Sequence, residues 1–131
     1  MKYYVVILSA LFGLNLKAQN SLPEDERYPV FPDCENTSYV EQENCFNNQV
    51  RTQLIDNLTV PSVVAKDGYQ GKMTILFETT PEGEFRLIYV DAYYNELKTA
   101  VEEAFEALPA VKPATYSGNP IFMQFRMPIY I

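Results

Sequence analysis

Apolar and polar positions alternate over residues 72–79. Met73, Ile75, Phe77 and Thr79 take one side, and Lys72, Thr74, Leu76 and Glu78 take the other. A period of two is the signature of a strand with one buried face. Thr80-Pro81-Glu82-Gly83 interrupts it. Pro81 presets φ for the second position of a type I turn, and Gly83 accommodates the left-handed conformation from which the chain re-enters a strand. Residues 85–90 return as the second strand. A lone hairpin is marginal in water, so this one must pack its apolar face on the rest of the chain.

Two helical patterns supply that cover. Phe46, Val50, Leu54 and Leu58 fall four apart, with Ile55 widening the stripe, and predict a helix over 43–57. Val60-Pro61 ends it. Pro61 suits the first position of a short second helix over 62–66, which Gly68 stops. The most regular pattern lies in 94–108, where Leu97, Ala100, Val101, Ala104, Phe105 and Leu108 share one face. Glu102, Glu103 and Glu106 on the opposite face read as a solvated surface, and Pro109 ends the helix.

Residues 109–120 read as a loop. Residues 121–131 read as a third strand, with Ile121, Met123, Phe125, Met127, Ile129 and Ile131 on one face and Phe122, Gln124, Arg126 and Tyr130 on the other. Pro128 cannot donate to a ladder, which puts this strand at a sheet edge. The succession predicts an α+β domain: a three-stranded antiparallel sheet with two main helices on one face.

The start of the chain is different in kind. Lys2 precedes an apolar run over 3–16, and small Ala18 stands at a cleavage position. Residues 1–18 thus read as a secretory signal peptide, too short for a comfortable membrane span. An uncleaved membrane anchor is the alternative. Residues 19–37 read as an extended leader, because Pro29 and Pro32 bias the residues before them away from helix. The domain proper is then 38–131. Cys34 and Cys45 are the only cysteines. In an exported chain such a pair most often forms a disulfide, and closing this loop restricts the unfolded chain by roughly 3 kcal/mol. A metal site is the competing reading, weakened by the absence of His.

Composition narrows the function. The chain has 131 residues, 47% of them hydrophobic, enough for one core. Its net charge of −7 disfavours nucleic acid or an anionic membrane surface as partner. There is no His, which removes the commonest general base and the commonest metal ligand. No catalytic group, metal, cofactor or small-molecule substrate is expected, and the chain does not read as an enzyme. Gly68 and Gly71 form a GxxG step, better explained as a turn into the first strand than as a phosphate cradle. Asn36-Thr37-Ser38 and Asn57-Leu58-Thr59 match the glycosylation acceptor pattern, a frequent chance match. The most informative exposed feature is the strand over 121–131, whose one fully charged side chain is Arg126. An unprotected edge is a template for a further strand; Pro128 and the chain terminus read equally well as its protection.

Several pieces together resemble the TonB C-terminal domain family over residues 38–131. Val60-Pro61 with Ala65 stands where the family has Tyr-Pro and then Ala. Gly68-Tyr69-Gln70-Gly71 opens a strand as the family's Gly-x-x-Gly step does. Glu82-Gly83 takes the place of an Asp-Gly turn. Leu108-Pro109, Lys112-Pro113, Gly118 and Pro120 resemble the closing loop of one branch, which also carries an upstream counterpart of residues 29–35 and a second Cys-Phe, here Cys45-Phe46. The resemblance implies that Phe85, Ile88 and Val90 face the core, with a bulge near Arg86. It also implies that the strand over 72–79 lies mid-sheet, between 85–91 and 121–131. It implies a periplasmic protein-binding module that pairs its last strand, through Phe122, Gln124, Arg126 and Tyr130, with an extended segment of a TonB-dependent receptor or another envelope protein. The chain departs from a complete energy transducer: its apolar start looks cleavable, and no Pro-rich spacer follows it.

Overall fold

The computed structural model describes residues 25–131. The signal-peptide segment 1–18 and the first residues of the leader lie outside the described residues. Among the described residues the order is β1 (Glu26–Arg27), α1 (Gln42–Asn57), α2 (Ser62–Asp67), β2 (Lys72–Thr79), β3 (Phe85–Asp91), α3 (Asn95–Glu106), β4 (Thr115–Tyr116), β5 (Asn119–Pro120) and β6 (Met123–Tyr130). Single 3-10 turns at Pro32–Cys34 and Tyr39–Glu41 lead into α1.

The main sheet is antiparallel in the order β3-β2-β6, so the alternating strand β2 is central, as expected. Its inward side chains Met73, Ile75, Phe77 and Thr79 are all buried. Phe46, Val50 and Leu54 of α1 and Leu97, Ala100, Val101, Ala104 and Phe105 of α3 bury against that face. Among the described residues the other face carries no helix. Small Ala100 and Ala104 hold α3 close to the sheet. At its centre the core is aromatic: Phe46 lies 4.8 Å from Phe125, and Phe77 lies 5.1 Å from Phe125 and 5.3 Å from Phe105, ring centre to ring centre. Pairs at such spacings add about 0.5–1.5 kcal/mol each beyond the area they bury.

Several expectations change. Phe77 pairs with Leu87 and Leu76 with Tyr89, so Ile88 is the extra residue of a bulge. The bulge therefore lies at Ile88, two positions beyond Arg86. Ile88 is exposed, not core-facing, and Leu87 takes the inward place beside half-buried Phe85 and buried Val90. One extra residue reverses the alternation, which is why a strict period could not place it. Ile55 is also exposed: the core side of α1 is the narrow row Phe46–Val50–Leu54, because α1 lies over the sheet rather than between two layers. The last strand begins at Met123, so Phe122 precedes it.

Residues 109–120 are more ordered than a loop. β4 and β5 form a hairpin whose two loop residues, Ser117 (φ 47) and Gly118 (φ 82), both have positive φ, the requirement of a type I′ turn. β4 also pairs with β1, giving a second three-stranded antiparallel sheet. Backbone bonds lace three segments together. Val30 and Lys112 exchange N–H···O bonds of 3.0 Å, and the Val111 N–H donates to the Gly83 carbonyl at 2.9 Å. Phe31 and Cys34 of the leader are buried in the main core, so this part of the leader belongs to the packed body. Cys34 and Cys45 form a disulfide, with Cα atoms 5.9 Å apart, that ties the leader to the first turn of α1. Of the two cysteine readings, the disulfide is the one observed.

Candidate functional site

The register of β2 with β6 determines which backbone groups of the last strand are spoken for. Gly71 and Ile131 donate to each other's carbonyls, at 3.2 and 3.0 Å. In an antiparallel ladder such doubly bonded pairs alternate with unbonded ones. Counting back along the register, Met73–Ile129, Ile75–Met127, Phe77–Phe125 and Thr79–Met123 are the bonded pairs. The N–H and C=O groups of residues 124, 126, 128 and 130 therefore point away from β2. No other described strand pairs with them. This outer row offers donors at Gln124, Arg126 and Tyr130 and acceptors at all four positions. Pro128 falls on the outward parity, where its missing N–H costs the sheet no bond. The proline thus blunts one position of the edge and leaves the stretch 124–126 intact.

The side chains named from the sequence collect along this strand. Gln124, Arg126 and Tyr130 are exposed on the helix-free face, and Phe122, also exposed, stands just before the strand. Their neighbours on β2 are Glu78 beside Gln124, Leu76 beside Arg126 and Lys72 beside Tyr130. On the helix face the edge borders a cleft of about 250 Å³, lined by Tyr28, Glu43 and Asn47 together with Met123–Arg126 of β6. Tyr28 reaches it because the leader crosses the start of β6, with its ring 6.3 Å from Phe125. Burial first, and the nearby Glu43 carboxylate second, push the Tyr28 phenol up to about 12. Sequence reading missed Tyr28, Glu43 and Asn47. The two on α1 are one turn apart, and only the packing of α1 over β6 aims them at the edge.

The opposite edge of the sheet, on β3, borders a larger groove of about 460 Å³ between β3 and α3, floored by Leu87, Val90 and Phe105 with Lys98, Glu102 and Glu106 along α3. Glu102 and Glu106 are exposed at its rim. The bulge at Ile88 breaks the even spacing of backbone groups there, a recognised way of spoiling an edge for pairing. The β6 edge keeps a regular register throughout.

The residues that carried the family resemblance serve the fold. Pro61 caps α2, and its carbonyl accepts from Val64 and Ala65, both at 3.1 Å. Gly68 ends α2 in the left-handed conformation (φ 59). Gly71 has the Tyr69 ring lying against it, where a side chain would collide, and it closes the β2–β6 ladder. Val60 is exposed and lies away from the edge cleft. Around Tyr69 the rings of Tyr93 and Tyr94 pack at 5.7 and 5.1 Å, too close to admit a ligand between them. Among the described residues no helix is long and apolar enough to cross a membrane, and no three metal-ligating side chains gather.

No family model matches the chain, and no curated protein does. Among solved structures it is similar to the NMR solution structure of the Helicobacter pylori TonB C-terminal domain, residues 179–285. The TM-score is 0.46 and the sequence identity 14%, covering 74% of this chain and 84% of that one. It is likewise similar to the NMR structure of residues 194–285 of the same protein, with a TM-score of 0.44 and 15% identity over 66% of this chain and 91% of that one.

Proposed function

We propose that this protein is a non-enzymatic binding module that accepts an extended segment of another protein as an added strand on β6. The observation that carries this is the regular, unpaired row of outward N–H and C=O groups at 124, 126, 128 and 130. Main-chain bonds to such an edge supply affinity, and the side chains beside it supply choice of partner. The partner class is an envelope protein with an extended N-terminal segment, such as a TonB-dependent receptor, met in the periplasm and linked to TonB-type transport. The signal-peptide pattern of residues 1–18 and the family resemblance support that setting.

The test is titration of the protein with N-terminal peptides of such receptors, followed by amide hydrogen exchange. Binding should slow exchange at Gln124, Arg126 and Tyr130 and leave the already bonded amides of Met127 and Ile129 unchanged. Gln124→Lys and Arg126→Pro should weaken binding. Failure of every peptide to bind, or binding indifferent to both substitutions, overturns the proposal.

A further inference from the structure

The cleft beside β6 places a chemical requirement on any strand added there. Successive side chains of a strand point to opposite faces, and directly opposed residues of neighbouring strands share a face. A residue of the added strand that stands opposite Phe125 must therefore direct its side chain to the helix face, into the space bounded by Phe125, Tyr28, Glu43 and Asn47. This holds for either direction of the added strand. The walls there are of two kinds. The rings of Tyr28 and Phe125 are apolar and lie at the level of the sheet. Glu43 and Asn47 belong to the helix layer above.

Glu43 is half-buried, and among the described residues no lysine or arginine forms an ion pair with it; an ion pair elsewhere joins Lys112 to Glu35, at 3.1 Å. The Tyr28 phenol is near enough to feel the Glu43 charge and can take at most one of that carboxylate's acceptor positions. A carboxylate has about four such positions, so capacity for an incoming donor remains. Arg126 does not compensate it from the edge, because residue 126 has the opposite parity to Phe125 and its side chain leaves from the helix-free face.

We infer that β6 selects partners carrying lysine or arginine opposite Phe125. The apolar stem of that residue lies along Phe125 and Tyr28, and its cationic head reaches Glu43, with Asn47 as a second acceptor. Long basic side chains suit a site with an apolar entrance and an anionic end. The overall charge of −7 favours a cationic partner in the same sense. This inference rests on the strand-addition reading of the edge.

The experiment uses three synthetic alternating Thr/Val peptides that differ only in the central residue, which is Lys, Gln or Glu. Each is titrated into the whole protein by isothermal calorimetry, and into its Glu43→Gln and Glu43→Lys variants. The wild-type protein should bind the Lys peptide about fivefold more tightly than the Gln peptide, the scale of a single partly exposed ion pair, and should bind the Glu peptide least. Glu43→Gln should remove the preference, and Glu43→Lys should reverse it in favour of the Glu peptide. Circular dichroism of each variant confirms that α1 is retained. Equal affinities for all three peptides, or a Lys preference that survives Glu43→Lys, overturn the inference and leave strand addition standing. Absence of binding by all three to a folded protein overturns both.

Discussion

A proline placed at two adjacent positions of β6 should have opposite consequences. Residue 127 belongs to a doubly bonded pair with Ile75, and its side chain is buried. Residue 126 points its N–H outward and its side chain to solvent. Met127→Pro removes a ladder donor and strands the Ile75 carbonyl inside the sheet, which costs about 1–3 kcal/mol for the unmet acceptor. It also loses the buried thioether side chain, worth a further 2–5 kcal/mol by comparison with Met→Ala changes in cores. Met127→Ala isolates that second part. Arg126→Pro loses no internal bond and no core contact, and extended backbone tolerates its fixed φ, so its cost should stay near 1 kcal/mol or below. Urea unfolding followed by circular dichroism suits a chain with no Trp. Against a total of about 5–15 kcal/mol, Met127→Pro should be mostly unfolded or close to it, Met127→Ala clearly weakened, and Arg126→Pro close to wild type. Equal destabilisation by the two prolines would refute the parity of the edge, and with it the claim that residues 124, 126, 128 and 130 face outward.

Three other outcomes follow from the structure. Gly83→Ala should cost at least 2 kcal/mol in the same unfolding assay, because φ is +80 and a Cβ there meets the Val111 carbonyl, whereas Gly68→Ala, at φ +59 in open space, should cost only about 1 kcal/mol. Replacing both Cys34 and Cys45 by Ser should lower stability by about 3 kcal/mol through the freed 11-residue separation, and thiol titration of the native protein should find no free thiol. Tyr28 should ionise near pH 12, held neutral by burial and by Glu43. Its contribution to stability is therefore complete below about pH 10, the unfolded value, and is lost as pH rises toward 12; Tyr28→Phe should flatten that part of the stability curve.

Much of the frame could be read from residue spacing. The period of two in β2 and the i, i+3, i+4 series of α3 are local properties, and each names the face its element buries. Pro61, Gly68 and Gly83 mark boundaries through their own backbone limits. Cys34 and Cys45 were a pair before any geometry was known. The bulge was less accessible: Phe85, Leu87 and Val90 form an inward set only because Ile88 is skipped, and nothing in the residues themselves says which one a partner strand leaves unpaired. The hairpin at Ser117-Gly118 had a local signal in its Ser-Gly step, hidden by the prolines around it.

By itself the sequence determined the types of the main elements α1, α2, α3, β2, β3 and β6, which face of β2 is buried, and the presence of an edge marked by Pro128; the short strands β1, β4 and β5 were not among them. These follow from the stereochemistry of single residues and from short-range periodicity. Only the tertiary structure decided which backbone groups of that edge are free. Parity depends on the register with β2, and a shift of one residue would exchange the bonded and unbonded sets. Tertiary packing likewise brought Tyr28, Glu43 and Phe125 to one cleft. They come from a leader, a helix and a strand far apart in the chain, and no local pattern links them.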